Sequence, residues 1–188
     1  MIKSLFSKLK WFKKRIRWNY KYQKGSWDYM GNEEKRYNTI VDFIKETQIS
    51  KPSILDLGCG YGALNSYLET EKYGSFLGID LSSIAIQRAK NANYPNSEFL
   101  SADIHQFQPQ QKFDIIIFNE VLYYLDNQLE IVEKYANYFN QTGYFIFSFY
   151  GIRQDLIDSL EEKYVLVKNE IISQSENIFW GICLYRNK

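Results

Sequence analysis

The sequence is poor in cysteine, proline and histidine, and it contains no long apolar run. It has two cysteines, Cys59 and Cys183, among 188 residues, and because their spacing fits no zinc or redox motif, no metal site is expected. No run approaches the roughly 18 apolar residues of a membrane-spanning helix. Lysines also interrupt the apolar positions near the N-terminus, where a secretory signal needs an unbroken core. We therefore expect a cytoplasmic protein with reduced thiols rather than a secreted or membrane-spanning one.

The near-neutral net charge of +1 conceals a strong asymmetry along the chain. Residues 1–24 carry nine basic side chains and no acid, whereas the rest of the chain holds 14 basic and 22 acidic residues. The acidic body shows no extended basic groove, so no nucleic-acid partner is expected. The pattern indicates two parts, a basic arm at residues 1–24 and one domain at residues 25–188.

The arm has the spacing of an amphipathic helix, because apolar residues recur every three or four positions, at Ile2, Leu5, Leu9, Phe12 and Ile16. One interpretation is that this helix packs on the domain with its basic face in water. The other is that residues 1–20 make peripheral contact with an anionic membrane, as basic amphipathic helices with aromatic residues do.

After Pro52, strand-like apolar runs alternate with helix-like segments. The pattern predicts strands at 53–57, 75–80, 97–100, 112–119 and 144–150, and a closing hairpin of 164–173 and 179–185. It predicts helices at 62–69, 82–91, 127–139 and 152–162, and Asn32 and Ser82 as helix caps. The sequence therefore predicts an α/β fold, a doubly wound, mostly parallel seven-stranded sheet with an antiparallel last strand, preceded by N-terminal helices.

One short stretch carries the strongest functional signal. Asp56 ends an apolar run, and Gly58, Gly60 and Gly62 follow at alternate positions before a helix start. Asp80 closes the next strand, where a carboxylate can accept both hydroxyls of a ribose. Strand, glycine turn, helix and acid together predict a site for a nucleoside cofactor.

The same edge of the sheet collects further candidates, because the carboxyl ends of parallel strands lie side by side. Asp103 follows the third strand and can accept a hydrogen bond from an adenine amino group, with apolar neighbours on either side of the ring. The fourth strand ends in Asn119 and Glu120. The candidate cofactor-binding residues are Arg36, Asp56, Gly58, Cys59, Gly60, Asp80, Leu81, Ala102, Asp103, Ile104, Asn119 and Glu120.

The glycine spacing and Asp56 distinguish between cofactors. A dinucleotide site has G-x-G-x-x-G and places a helix N-terminus on a pyrophosphate, whereas an acid at position 56 repels phosphate and attracts an ammonium group. S-adenosylmethionine carries an ammonium and a sulfonium and no phosphate. Electrostatics therefore favours S-adenosylmethionine over NAD, and a nicotinamide oxidoreductase is the disfavoured alternative.

Four motifs in order resemble those of class I S-adenosylmethionine-dependent methyltransferases, a Rossmann-like family. They are residues 54–62, 78–82, 101–104 and 113–125. The resemblance implies that Asp56 and Gly58 lie by the methionine part, that Asp80 holds the ribose, and that Leu81, Ala102, Asp103 and Ile104 surround the adenine. It also implies that Asn119 and Glu120 face the end where the methyl group is transferred.

The methyl acceptor is less clearly encoded. Residues 119–122 differ from the Asn/Asp-Pro-Pro-aromatic motif of adenine-amino methyltransferases, which argues against methylation of nucleic-acid bases. Trp27, Tyr29, Arg36 and the segment 120–125 look like those of small bacterial methyltransferases of glycan and nodulation-factor pathways. That narrower resemblance implies a small-molecule or glycan acceptor, methylated on O or N, and it implies that Arg36 or Tyr37 reaches the cofactor carboxylate.

A catalytic base is needed only where the acceptor must lose a proton. The candidates are Glu120, Tyr123, Tyr124 and His105, of which Glu120 is best placed, at the end of the fourth strand. An alternative function is a non-catalytic S-adenosylmethionine-binding subunit that docks a partner or a membrane through the basic arm. For the oligomeric state we expect a monomer or a homodimer.

Overall fold

The structure is a computed structural model that describes residues 2–175 and 178–188, with side chains from Trp11 onward. Within these residues the helices are α1 (Ile2–Gln23), α2 (Glu34–Glu46), α3 (Ser83–Asn91), α4 (Gln128–Ala136) and α5 (Gln154–Lys163). The strands are β1 (Ser53–Leu57), β2 (Ser75–Asp80), β3 (Ser97–Ser101), β4 (Phe113–Asn119), β5 (Phe139–Tyr150), β6 (Val165–Ser175) and β7 (Ile178–Arg186).

The described strands form one sheet in the order β3-β2-β1-β4-β5-β7-β6. The strands β1 to β5 pair in parallel, and β7 runs antiparallel to both β5 and β6. After β3 the chain crosses back to place β4 beside β1, so the strand order reverses there. Ligands of open α/β sheets bind outside the strand ends at such a reversal. The predicted fold class is confirmed.

Both faces of the sheet are apolar. Successive side chains of a strand point to opposite sides, and the central strands carry apolar residues at successive positions. Ile54, Ile115 and Ile117 pack with the buried residues of α2 on one face. Leu55, Leu57, Ile116 and Phe118 pack with α4 and α5 on the other. A central strand covered on both faces reads as a continuous apolar run, which is the pattern of β4.

One of the two predicted helix caps is present. Ser82 accepts a hydrogen bond from the Ala85 backbone N–H over 3.1 Å, as the sequence predicts. Asn32 is not a cap, because it ends a short 3-10 helix (Asp28–Asn32) and α2 follows Glu33. The prediction for Asn32 was wrong.

The helix predicted over residues 62–69 was also wrong. The structure has a 3-10 helix at Ala63–Tyr67 and a second one at Thr70–Lys72. Polar side chains compete with the helix in this segment. Ser66 Oγ donates to the Ala63 carbonyl over 2.7 Å, and Asn65 Nδ2 donates to Ser97 Oγ over 3.0 Å.

The strand predicted to start at Tyr144 starts at Phe139, and α4 ends at Ala136 rather than at 139. Gly143 lies within this strand against the Phe139 ring, where a Cβ atom would stand 2.0 Å from Phe139 Cγ. A glycine that looks like a helix stop is therefore a packing requirement of β5. In the predicted turn before β7, Gln174 and Ser175 belong to β6, while residues 176–177 lie outside the described residues.

The C-terminal half of α1 packs on the domain. Ser82 Oγ donates to Asn19 Oδ1 over 2.8 Å, and Asn19 Nδ2 donates to Ser83 Oγ over 3.3 Å. Tyr22 is buried, and Gly25 follows in the left-handed region at φ +69°. Among the described helices, none is both long and apolar enough to cross a bilayer.

Candidate functional site

A cavity of about 620 Å³ opens at the carboxyl edge of the sheet, over the reversal between β1 and β4. Eleven of the predicted cofactor-binding and catalytic residues line it: Gly58, Asp80, Leu81, Ala102, Asp103, Ile104, His105, Asn119, Glu120, Tyr123 and Tyr124. The other predicted cofactor-binding residues, Arg36, Asp56, Cys59 and Gly60, do not line the cavity. The ends of four successive parallel strands thus converge as the sequence predicts.

Asp80 organises the glycine turn from the end of β2. Its Oδ2 accepts from the Gly60 N–H over 3.1 Å, and its Oδ1 accepts from the Ser82 N–H over 2.7 Å. Burial raises the pKa of Asp80 to about 6, while these two hydrogen bonds act in the opposite direction. The carboxylate therefore joins the turn after β1 to the start of α3, with Asp80 itself in the cavity wall.

Asp56 lies at the end of β1, only 1% exposed. Its Oδ1 has no hydrogen-bond partner among the described residues. Burial, and then the nearby charge of Asp80, raise the pKa of Asp56 to about 7, although Arg36 opposes the shift. A buried carboxylate oxygen without a partner is costly, and a cation that approached it would relieve that cost.

The glycines of the turn are there because the backbone is crowded. Gly58 has φ +82°, and a Cβ atom there would lie 2.5 Å from Val121 Cγ2. Gly60 has φ +57°, and its Cβ would lie 2.8 Å from the Tyr22 hydroxyl. Only glycine adopts both the conformation and the close approach at low cost.

Cys59 is buried under the same turn. Its Sγ lies 2.8 Å from the position that a Cβ of Gly78 would take, and burial raises the pKa of the thiol well above its usual value. Cys59 therefore packs the turn against β2 as a small neutral side chain.

Asp103 and His105 form a pair after β3. Asp103 Oδ1 accepts from the His105 backbone N–H over 3.0 Å and lies 3.0 Å from His105 Nδ1. Burial raises the pKa of Asp103, but the bonds from His105 outweigh it, and the net shift is downward. The pKa of His105 is raised, chiefly by the same bond. The arrangement makes His105 a partner of Asp103 rather than a free base.

Glu120 follows β4 with the positive φ of +56°, which is uncommon for a residue other than glycine. Its Oε2 accepts from the Tyr123 hydroxyl over 2.8 Å, and its Oε1 lies 2.9 Å from Ser148 Oγ. Burial raises its pKa, although Arg36, Tyr123 and Ser148 each act against the shift. This is a half-buried carboxylate that lines the cavity, an environment that suits a proton acceptor.

Arg36 is fully buried beneath this group. Its guanidinium donates to the Glu33 carboxylate from two nitrogens and to Asn119 Oδ1 from the third. These bonds occupy Arg36, so it holds two cavity-lining side chains in place. The expectation that Arg36 itself reaches a ligand stays a prediction.

The two tyrosines after Glu120 differ in their surroundings. The Tyr123 hydroxyl is bonded to Glu120, and burial raises its pKa. Tyr124 is 44% exposed and meets the Trp18 ring edge-on, with centroids 5.2 Å apart. Tyr123 therefore acts as a donor to Glu120, while Tyr124 joins an aromatic wall.

Several lining residues come from elements that the motifs do not include. Trp18 and Tyr22 project from α1 at a four-residue interval, a helical spacing that could have indicated a shared buried face. Others come from the segment before α2, from β5, β6 and β7, and from the residue before α5: Trp27, Tyr29, Met30, Glu33, Tyr150, Arg153, Gln174, Ile178 and Trp180. Of the residues before α2, the sequence singled out Trp27 and Tyr29.

Comparison with known proteins agrees with this geometry. Residues 49–182 match the family described as "Methyltransferase domain". The chain belongs to this family. Its place among the class I S-adenosylmethionine-dependent methyltransferases, predicted from the four motifs, is confirmed.

The matches to curated methyltransferases cover only part of each relative. A putative methyltransferase 235L of Invertebrate iridescent virus 6 is 35% identical over 91 residues, which are 47% of this chain and 34% of the relative. A malonyl-[acyl-carrier protein] O-methyltransferase of Ilyobacter polytropus is 22% identical over 142 residues, 74% of this chain and 53% of the relative. The chain thus spans about a third to a half of these curated relatives.

The fold of the methyltransferase is shared with a solved structure. The N-methyltransferase NodS of Bradyrhizobium japonicum WM9, in complex with S-adenosyl-L-homocysteine, superimposes with a TM-score of 0.71 at 21% identity. The match covers 82% of this chain and 87% of that one. S-adenosylmethionine is the cofactor of the family. The described site fits it, because Asp56 has an unpartnered buried oxygen that an ammonium group would satisfy, and Asp80 offers a carboxylate at the cavity wall.

Proposed function

We propose that this protein transfers a methyl group from S-adenosylmethionine to an O or N atom of a small-molecule or glycan acceptor. The observation that carries the proposal is that one cavity brings together Asp80 at the end of β2, Asp103 after β3 and the half-buried Glu120 carboxylate after β4. When bound, S-adenosylmethionine supplies an electrophilic methyl group. Placement of an acceptor beside that group supplies much of the acceleration.

The residues proposed to hold the cofactor follow the strand ends. Asp56 and Gly58 serve its methionine part, Asp80 its ribose, and Leu81, Ala102, Asp103 and Ile104 its adenine. Asp103 keeps its Oδ2 for a ligand, since both hydrogen bonds with His105 involve Oδ1. Asn119, held by Arg36, completes the wall between the cofactor and the acceptor.

Glu120 is proposed as the group that takes a proton from the acceptor. It lines the cavity, and its raised pKa makes it a stronger base than an exposed glutamate. Tyr123 and Ser148 hold both of its oxygens in place. His105, another of the candidate bases predicted from the sequence, is bonded to Asp103.

The acceptor class is supported by size and by relatives. A cavity of about 620 Å³ must take both the cofactor and the acceptor, which leaves room for a molecule of sugar size. One similar protein is named an N-methyltransferase and another an O-methyltransferase, so both kinds of acceptor atom stay in the proposal. The Glu120 carboxylate favours catalysis over the alternative of a non-catalytic binding subunit.

The test has a binding arm and a transfer arm. Calorimetry should detect binding of S-adenosylhomocysteine and none of NAD, and NAD-only binding would overturn the proposal. Methyl-labelled S-adenosylmethionine is then offered with panels of glycans, amines and hydroxylated small molecules, and the products are read by mass spectrometry.

A second candidate property is contact of α1 with an anionic membrane. Phe12, Ile16 and Tyr20 are 57%, 53% and 59% exposed and lie on one side of the helix at four-residue steps. Lys13 and Arg17 flank this stripe, so charge complementarity supports an anionic surface as its occupant.

We also propose a cytoplasmic location, because Cys59 and Cys183 are both buried and unpaired.

The membrane proposal predicts a specific loss on substitution of the stripe. A variant with Phe12, Ile16 and Tyr20 changed to Ser should bind vesicles containing phosphatidylserine at least tenfold more weakly than the parent chain. The control variant changes three exposed apolar residues of β6 to Ser, namely Val165, Val167 and Ile171. It should bind the vesicles as tightly as the parent chain does. Equal vesicle binding by the parent chain and the α1 variant would sink the idea.

A further inference from the structure

Arg153 is a cation in the cavity wall with no ion-pair partner in the described part of the chain. It directly precedes α5 and lines the cavity together with Lys14. Lys14 pairs with Asp126 over 3.3 Å. Among residues 11–175 and 178–188, no carboxylate lies within ion-pairing distance of the Arg153 guanidinium.

Among the described residues, the Arg153 side chain contacts an aromatic ring and makes no side-chain hydrogen bond. Its guanidinium carbon lies 5.2 Å from the centroid of the Tyr123 ring. Stacking on a ring face leaves the N–H donors at the edge of the guanidinium free, and their fork matches the oxygens of a carboxylate or phosphate. The ring therefore directs an unused anion-binding group toward the cavity.

Arg153 is linked through Tyr123 to Glu120, the proposed proton acceptor. Tyr123, on which it stacks, donates its hydroxyl to the Glu120 carboxylate over 2.8 Å. One tyrosine thus separates the proposed proton acceptor from the guanidinium. An acceptor molecule that presents its nucleophilic atom to Glu120 can place another group, one ring width away, against Arg153.

The two carboxylates at this end of the cavity already have hydrogen-bond partners. Glu33 accepts from Arg36, and Glu120 is bonded to Tyr123 and Ser148. The wall also includes aromatic rings, with Tyr150 and Trp180 in edge-to-face contact at 6.4 Å between centroids. Arg153 is therefore the charged side chain at this end whose hydrogen-bond donors the described residues leave for a ligand.

We propose that Arg153 binds an anionic group of the methyl acceptor, so the acceptor carries a phosphate or carboxylate in addition to the atom that is methylated. This inference rests on the proposed methyltransferase function and narrows its substrate class. Arg153 is a specificity-determining residue in this account, and it takes no part in the transfer itself.

The experiment compares matched pairs of neutral and anionic compounds. The pairs are hexosamines with their phosphate esters, hexosamines with their uronic acids, and amino alcohols with their phosphate esters. Each compound is titrated calorimetrically into protein saturated with S-adenosylhomocysteine. The proteins are the parent chain, Arg153→Gln, Arg153→Lys and the control Arg186→Gln, whose exposed side chain lies outside the cavity wall.

In at least one pair, the anionic member should bind the parent chain at least tenfold more tightly than the neutral one. Arg153→Gln should remove that preference, since charged hydrogen bonds of this kind are worth about tenfold or more in affinity. Arg153→Lys should keep part of it, and Arg186→Gln all of it. The phosphate and carboxylate pairs show which oxyanion is preferred.

Two outcomes overturn the inference. In one, no anionic member of any pair binds the parent chain more tightly than its neutral form. In the other, Arg153→Gln keeps the preference unchanged. Failure of the proposed function is separate, because the parent chain would then not bind S-adenosylhomocysteine in the saturation step or would methylate no acceptor of any class.

Discussion

Glu120 combines three unusual properties in one residue. It has a positive φ, its pKa is raised by partial burial, and its carboxylate is bonded on both oxygens while it lines the cavity. Backbone strain of this kind costs on the order of 1–3 kcal/mol and clusters at functional sites. The rest of the fold holds Glu120 in this state, which is consistent with a role in the reaction.

The proposed role of Glu120 predicts a pH dependence of defined sign. The carboxylate accepts a proton only when ionised, so kcat/KM should fall as the pH drops through its raised pKa. Glu120→Gln should lower kcat by about 100-fold or more and abolish this acidic limb. Steady-state kinetics between pH 5 and 9 measure both effects.

The control for this prediction is Glu98→Gln, because Glu98 is an exposed residue of β3 outside the cavity wall. It should leave both kcat and the profile unchanged. A Glu120→Gln enzyme with the parent profile would show that the proton leaves by another route.

Asp56 predicts a trade-off between stability and binding. Its pKa is raised from near 4 to about 7 by burial and by Asp80. The native state therefore binds the proton more tightly than the unfolded chain, and the stability that this contributes is present below about pH 4 and lost as the pH rises through 7. Ligand-free Asp56→Asn should be more stable than the parent chain at pH 8, on the order of a few kcal/mol, with the difference much smaller at pH 5.

The same substitution should weaken binding of S-adenosylhomocysteine by about tenfold or more, because an amide does not attract the ammonium group. Urea denaturation at the two pH values and calorimetry measure the two effects. Asp158→Asn, at an exposed position of α5, is the control for both. A variant that is destabilised at pH 8, or that binds as well as the parent chain, contradicts the account of Asp56.

At the residue scale, the sequence indicated the acids and glycines because each stands at a strand end in a fixed local pattern. It did not indicate their partners. The bonds of Arg36 to Glu33 and Asn119, and of Ser148 to Glu120, join segments up to 83 positions apart. Such pairings depend on the sheet order, which no local pattern contains.

The C-terminal end of α1, which lies within the predicted arm, packs beside the proposed cofactor site. Asn19 bonds to Ser82 and Ser83 at the start of α3, two residues beyond Asp80. Trp18 lines the cavity, and the Tyr22 hydroxyl lies against Gly60. The division into an arm of residues 1–24 and a domain stays a prediction, and the end of the arm forms part of the cavity wall.

Loss of this contact should affect stability and cofactor binding together. Asn19→Ala should lower the free energy of unfolding by about 1 kcal/mol, since it removes hydrogen bonds to Ser82 and Ser83. It should also weaken S-adenosylhomocysteine binding several-fold, because Ser82 accompanies Asp80 in the cofactor site. Denaturation and calorimetry measure the effects, with Asn38→Ala on the exposed side of α2 as the control. If cofactor affinity is unchanged, α1 does not support the site.

At the element scale, the strands were easier to predict than the segments between them. Long apolar runs such as β4 leave no alternative to a buried strand. Residues 62–69 were harder, because Asn65 and Ser66 satisfy their polar groups outside a helix. Gly143 led to a wrong prediction of a helix end, because its role is to make room for the Phe139 ring.

The whole molecule is organised around the reversal of strand order between β1 and β4. The proposed cofactor half of the cavity comes from consecutive elements that four motifs mark in the sequence. The proposed acceptor half comes from the N-terminal segment and the C-terminal strands, which meet only in the folded chain. The cofactor was therefore predictable from sequence, and the acceptor was not.

Cofactor binding should stabilise the entire domain. At 100 times its Kd, a ligand that binds only the native state adds about 2.7 kcal/mol. For a domain of this size, that corresponds to an increase in Tm of about 5–10 °C. Calorimetric melting with S-adenosylhomocysteine should show this shift, and NAD at the same concentration should show none. The reverse pattern would indicate a dinucleotide site.

The most direct test of the central claim is methyl transfer by the purified chain alone. The parent chain is incubated with methyl-labelled S-adenosylmethionine and the acceptor panels, and the products are identified by mass spectrometry. The account predicts label on an O or N atom of an acceptor, lost in Glu120→Gln. Binding of S-adenosylhomocysteine without label in any acceptor would contradict it and would favour a non-catalytic binding subunit.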